Sequence, residues 1–252
     1  MVAFRRKFVS HKYKTLNLKH YCKYCSALFK SDKDYFEDFL KIDKISKIDK
    51  LISNIYIYIF PPVLNWPDGV NLDIPVDFVI AIRKILEHFS PLAIDNIDEL
   101  CFAFNAESSS YGDKIIIMPV DYVLNPNIKS KFMEMFAHEI AHALAYTIFK
   151  DKFLQNDFKK FHNLIKSANS KQIFFEPKNS QEKLSYYQYE DYIEFFAELA
   201  SHILLHYNEL IKYISLLKFS YSKRPYYDAV NFLLNFVNPM PEIQVKNLIR
   251  NL

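Results

Sequence analysis

The sequence predicts an α+β fold, mainly helical, with a small sheet packed before a long central helix. Three observations carry that reading. Apolar residues recur at helical spacing through most of the second half of the 252 residues. Short apolar runs bounded by turn residues cluster between residues 53 and 120. The longest helix-forming run, 127–149, follows the last of them.

In chain order, "SDKDYFEDFLKIDKISKIDK" (31–50) alternates charged and apolar residues at helical spacing, with Ser31 as a cap. "NIYIYIF" (54–60) reads as a strand, and "PPVLNWPDG" (61–69), with three prolines, as a connection. "VDFVIAIRKILEHF" (76–89) is an amphipathic helix; "DELCFAFNA" (98–106) and "DKIIIMPV" (113–120) suit strands. Asn125 and Pro126 start the central helix, because proline at the first helical position lacks only an N–H that would have no partner. Phe132, Met135, Phe136, Ala143 and Leu144 supply much of that helix's buried surface. Further helices fit 156–168, 189–207, 228–237 and 241–252. A soft boundary near residue 50 separates a basic segment, 1–50, from a main domain, 51–252.

Composition excludes several classes of function. Gly69 and Gly112 are the only glycines, too few for a phosphate-cradling loop or a dinucleotide fingerprint. A net charge of +3 does not by itself imply nucleic acid. No apolar run reaches the ~20 residues that cross a bilayer. The start of the chain lacks the apolar stretch of a signal peptide, so a cytoplasmic location, or export by a non-classical route, is expected. Cys22, Cys25 and Cys101 make no disulfide framework, and Cys101 reads as a small buried hydrophobe.

The chemistry concentrates in "AHEIAHAL" (137–144). His138 and His142 are four apart, so a helix presents both on one face, where each can offer a ring nitrogen to one zinc ion. Glu139, beside His138, is placed to take a proton from zinc-bound water. Downstream, Glu194, Glu198 and His202 also repeat every four residues. A carboxylate from this row completes a His₂Glu set that leaves a fourth position for water. The other carboxylate suits the free N–H of a ligating imidazole. His202, in apolar surroundings, reads as a satisfied core histidine, with His206 one turn further on; His88 and His162 read as ordinary.

"HEIAH" followed by "YYQYEDYIEFFAE" resembles the catalytic domain of the anthrax-lethal-factor type of zinc endopeptidase and the related bacterial proline–proline endopeptidases. The likeness covers about residues 130–205 and does not extend to 1–50. It implies a zincin-like metallopeptidase domain with His138 and His142 as histidine ligands, Glu139 as general base and Glu194 as third ligand. It further implies Glu198 as the carboxylate behind a ligand and Tyr187 as the catalytic tyrosine. A phenol aimed at the metal can donate a hydrogen bond to the developing oxyanion, a contribution made chiefly in the transition state. Tyr186 takes that role if the register is off by one. The large receptor-binding apparatus of the toxin has no counterpart here.

The amino-terminal segment holds His11, His20, Cys22 and Cys25. C-x₂-C spacing suits half of a second, structural zinc site, a redox pair, or two unliganded cysteines. Residues 1–30 carry eight Lys or Arg and no acid. Such a run can be a solvated arm, a targeting element, or a surface for phosphate backbones or acidic membranes.

The leading expectation is a zinc-dependent endopeptidase that takes a protein or peptide substrate in extended form along the sheet edge, with "DKIIIM" as the edge strand. The alternatives are a metalloprotease guided to nucleic acid by the basic segment, and a noncatalytic, zinc-stabilised protein-binding module.

Overall fold

The computed structural model describes residues 49–51, 55–60, 76–103, 109–124, 129–169, 191–217 and 220–252. Two compact units divide the chain. One comprises Met1–Val76 and Asp98–Pro126, the other Asp77–Ile97 and Asn127–Leu252.

The first unit holds a five-stranded sheet: β1 (Asp49–Leu51), β2 (Ile55–Phe60), β3 (Glu99–Ala103), β4 (Ser110–Gly112) and β5 (Ile115–Pro119). Their order is β1-β2-β3-β5-β4. β2, β3 and β5 run parallel, with Tyr56 opposite Glu99 and Glu99 opposite Ile115; β1 and β4 flank them antiparallel. Every residue of β5 is buried, as its unbroken apolar run demands of an inner strand. Asp113 and Lys114 link β4 to β5 with positive φ angles of 48° and 66°, the backbone of a two-residue type I′ turn. A short helix, α3 (Asp121–Leu124), follows.

This arrangement corrects two expectations. β5 is not an edge strand: β3 pairs with one side, and β4 covers Ile115–Ile117 on the other. β4 was invisible as a strand because "SYG" is three residues long and none of them is fully buried. The helix expected over 31–50 also fails at its end, since Asp49 and Lys50 pair with β2; residues 31–48 lie outside the described residues.

The second unit is helical among its described residues. It comprises α1 (Val76–Glu87), α2 (Pro91–Ile94), α4 (Lys129–Ile148), α5 (Lys152–Asn169), α6 (Tyr192–Leu205), α7 (Tyr207–Leu216), α8 (Ser220–Leu233) and α9 (Glu242–Asn251). α1 buries Phe78, Ala81, Ile82, Ile85 and Leu86, one apolar stripe at helical spacing. In α4, Phe132, Phe136, Ala143 and Leu144 are buried as expected, whereas Met135 is half-buried. Its start at Asn125–Pro126 lies outside the described residues.

Three of the remaining helices begin or end away from their expected bounds. α5 starts at Lys152 rather than 156, because the Asp151 carboxylate accepts from the N–H groups of Phe153 and Leu154 at 2.8 and 3.4 Å. The pattern over 189–207 is broken at His206, whose φ of −136° and ψ of 35° end α6 and begin α7. α8 begins ahead of Pro225, eight residues before the expected start, and stops at Leu233.

Aromatic side chains lock α6 in place. Phe158 of α5 meets Phe195 and Phe196 of α6 at ring-centroid distances of 5.6 and 5.0 Å, and Phe232 of α8 at 5.4 Å. Phe149 at the end of α4 meets Phe196 at 5.2 Å. Each such pair adds about 0.5–1.5 kcal/mol beyond the area it buries. Part of the 17% aromatic content therefore serves the packing that fixes the residues beside Phe195 and Phe196, Glu194 first among them.

Candidate metal centre

α4 and α6 lie side by side and supply the site. Ion pairs join His138 and His142 to Glu194, His138 to Glu198, and Glu134 to His206. Later residues of α6 thus meet earlier residues of α4, so the two helices run antiparallel. At the start of α6, the Asp191 carboxylate accepts from the Ile193 N–H at 2.6 Å and caps the turn that carries Glu194. Gln155 of α5 donates to the Tyr192 hydroxyl at 2.8 Å and secures the same turn from the side.

The donor atoms converge. Nε2 of His138 and Nε2 of His142 are 3.0 Å apart. Glu194 sets Oε2 3.4 Å from the first and Oε1 3.6 Å from the second. Zinc–donor bonds of ~2.0–2.1 Å at tetrahedral angles put neighbouring donors about 3.4 Å apart. The three separations bracket that value, and one ligand atom from each residue lies within 4.8 Å of the others. Two histidines and a carboxylate thus form a set that can hold a zinc ion, the donor count of a catalytic site with one position open.

Electrostatics agree with the geometry. Burial disfavours a charged His138 ring, but the carboxylates of Glu194 and Glu198, with the charge of Glu139 nearby, outweigh it and push its pKa up to about 10. Hydrogen bonds from His138 and His142 hold Glu194 well below the usual carboxylate range. A surplus of negative charge that retains a proton so firmly will also attract a divalent cation.

Around this trio, Glu198 points Oε2 at Nδ1 of His138, 3.4 Å away, the contact that leaves Nε2 free for a metal. Glu139 is only 3% exposed and close enough for its charge to act on His138. His202 is a satisfied, largely buried histidine whose Nδ1 donates to the Glu198 main-chain carbonyl at 3.0 Å. His88 donates Nδ1–H to the Asn238 carbonyl at 3.1 Å, His162 is buried against Phe195, and Cys101 is buried in β3. Tyr186 and Tyr187, and His11, His20, Cys22 and Cys25, lie outside the described residues.

Sequence spacing missed the partners of His206. Its Nε2 faces Glu134 at 3.5 Å and its Nδ1 faces Glu209 at 3.2 Å. The signal for Glu134 was available, since it precedes His138 by four residues and shares its helix face. No described helix is long and apolar enough to cross a membrane. Compared with family models, with curated proteins and with solved structures, the chain finds no match in any of the three.

Proposed function

We propose that this protein is a zinc-dependent endopeptidase of the His–His–Glu kind, related in its chemistry to the lethal-factor-type peptidases that its motifs resemble. The observation that carries the reading is the convergence of the His138, His142 and Glu194 donor atoms beside a buried Glu139. A purely structural zinc site has no use for that fourth residue.

His138, His142 and Glu194 are the proposed zinc ligands. Zinc held there would bring the pKa of its water toward about 7 and polarise the scissile carbonyl. Glu139 takes the proton from the attacking water and delivers it to the departing amine. Glu198 holds the Nδ1 proton of His138 and so fixes the tautomer of that ligand. Tyr187, carried over from the resemblance alone, donates a hydrogen bond from its O–H to the developing oxyanion. The substrate is a protein or peptide segment in extended form, since main-chain carbonyls and amides then lie open to recognition.

The test is hydrolysis of a peptide library by the full chain reconstituted with zinc. Activity should vanish with a chelator, return with zinc, and be lost in Glu139→Gln with the zinc content unchanged. Hydrolysis surviving in Glu139→Gln would contradict the assignment of the base. A zinc-loaded chain that cleaves nothing would favour a zinc-stabilised binding module instead. DNA affinity that falls with salt and disappears without residues 1–30 would favour the nucleic-acid-guided version.

A further inference from the structure

The face of α4 that carries the metal ligands runs on past them. From Glu134 onward every fourth residue stays at least partly open to solvent: Glu134, His138, His142, Tyr146 and, just beyond the end of the helix, Lys150. Four residues make slightly more than one turn, so these five form one strip that winds slowly round the helix. α6 lies along the first part of the strip, with His206 opposite Glu134 and Glu194 opposite His142. It begins at Tyr192, two residues ahead of Glu194. Tyr146, one turn past His142, is 62% exposed.

Helical side chains lean toward the N-terminus of their helix, which carries Tyr146 back over the turn of His142. The next residue of the strip leans the same way, since Lys150 Nζ stands 4.9 Å from the centroid of the Tyr146 ring. The ring holds the ammonium in place. Among the described residues no carboxylate pairs with Lys150, and the adjacent Asp151 is engaged with the N–H groups of Phe153 and Leu154.

We propose that Tyr146 and Lys150 form a specificity subsite beside the metal centre, taking an acidic side chain of the peptide substrate. The inference rests on the reading of His138, His142 and Glu194 as the zinc site of a peptidase. A peptide laid along the strip would rest its main chain and side-chain stem against the phenol ring of Tyr146 and bring a carboxylate to the Lys150 ammonium. The turn of Tyr146 lies about 6 Å along the axis from that of His142. An extended peptide advances about 3.3 Å per residue, so the acidic residue belongs about two positions from the scissile bond. At the opposite end of the strip the carboxylates of Glu134 and Glu209 outnumber His206, and they would repel the same group. The preference for an acid should therefore fall on one side of the scissile bond only.

The experiment measures kcat and KM for the zinc-loaded full chain on a cleaved parent peptide. Variants of that peptide carry Glu, Gln or Lys at each position near the scissile bond, on both sides. The proteins are wild type, Lys150→Gln, Lys150→Glu, Tyr146→Ala and Tyr146→Phe, with zinc content and thermal unfolding recorded alongside. Wild type should prefer Glu to Lys by about fivefold in kcat/KM at a single position, as suits an exposed ion pair. Lys150→Gln should remove that preference and Lys150→Glu should invert it. Tyr146→Ala should raise KM several-fold with little change in kcat, the mark of lost uniform binding, and Tyr146→Phe should recover most of the loss. A merely structural tyrosine would instead lower zinc content or the unfolding temperature.

A wild type that treats Glu and Lys alike at every position would overturn the proposal and leave the peptidase standing. So would a preference that Lys150→Glu fails to invert, or a KM that Tyr146→Ala does not move. Should Tyr146→Ala fold poorly, the two Lys150 variants decide the matter. A zinc-loaded wild type that cleaves no peptide would remove the peptidase reading itself, and this subsite with it.

Discussion

Along the antiparallel pair α4–α6, histidines meet glutamates at both ends, and the two ends are built differently. At one, His138, His142 and Glu194 aim their atoms at a common point, with separations of 3.0, 3.4 and 3.6 Å. At the other, His206 sends Nε2 toward Glu134 and Nδ1 toward Glu209, two carboxylates on opposite edges of one ring. Those carboxylates are more than half exposed, and such pairs are worth about 0–1 kcal/mol each. The same residue types therefore make a candidate metal centre where their lone pairs converge, and a surface ion-pair network where they do not.

The contrast can be broken most severely at Glu139. Glu139→Gln should cut peptide hydrolysis by about 10²–10⁴-fold while zinc binding stays intact, measured by turnover alongside metal analysis. Next in size is Glu198→Gln, which removes the charge facing His138 Nδ1. Its zinc affinity should fall about 10–100-fold, read by chelator competition.

Acidity separates the ends more gently. The His138 pKa is raised to about 10 from an ordinary 6.5. Its contribution to the metal-free fold is therefore complete below pH 6.5 and is lost as the pH climbs toward 10. Glu194 is shifted downward from 4.5, so its contribution is complete above pH 4.5 and is lost as the pH falls through its lowered value. The metal-free protein should then melt highest between about pH 4.5 and 6.5, and Glu194→Gln should flatten both flanks of the profile. Zinc must displace the His138 proton. Its apparent affinity should accordingly rise about tenfold per pH unit between 6.5 and 10. The smallest effect belongs to the other end of the pair. His206→Ala should leave zinc affinity within about twofold and stability within about 1 kcal/mol.

Much of this was legible in the sequence, because helical spacing alone decides which residues share a face. His138 with His142, and Glu194 with Glu198, needed only the four-residue period. The buried run Ile115–Met118 announced its strand in the same way. What stayed hidden depends on how one element meets another. The pairing of His206 with Glu134 follows from the register of α4 against α6, which neither helix encodes alone. The break at His206 occurs without glycine or proline, and α8 starts ahead of Pro225 and runs through it. β4 shows itself only through its pairing with β5.

The central claim is that Glu194 completes a single zinc site with His138 and His142. The direct measurement is zinc content per chain, after purification without added metal, in wild type, Glu194→Ala and Cys22→Ser/Cys25→Ser. Near one zinc in wild type, lost in Glu194→Ala and kept in the cysteine variant, is the predicted result. Zinc retained at the wild-type level in Glu194→Ala would contradict it.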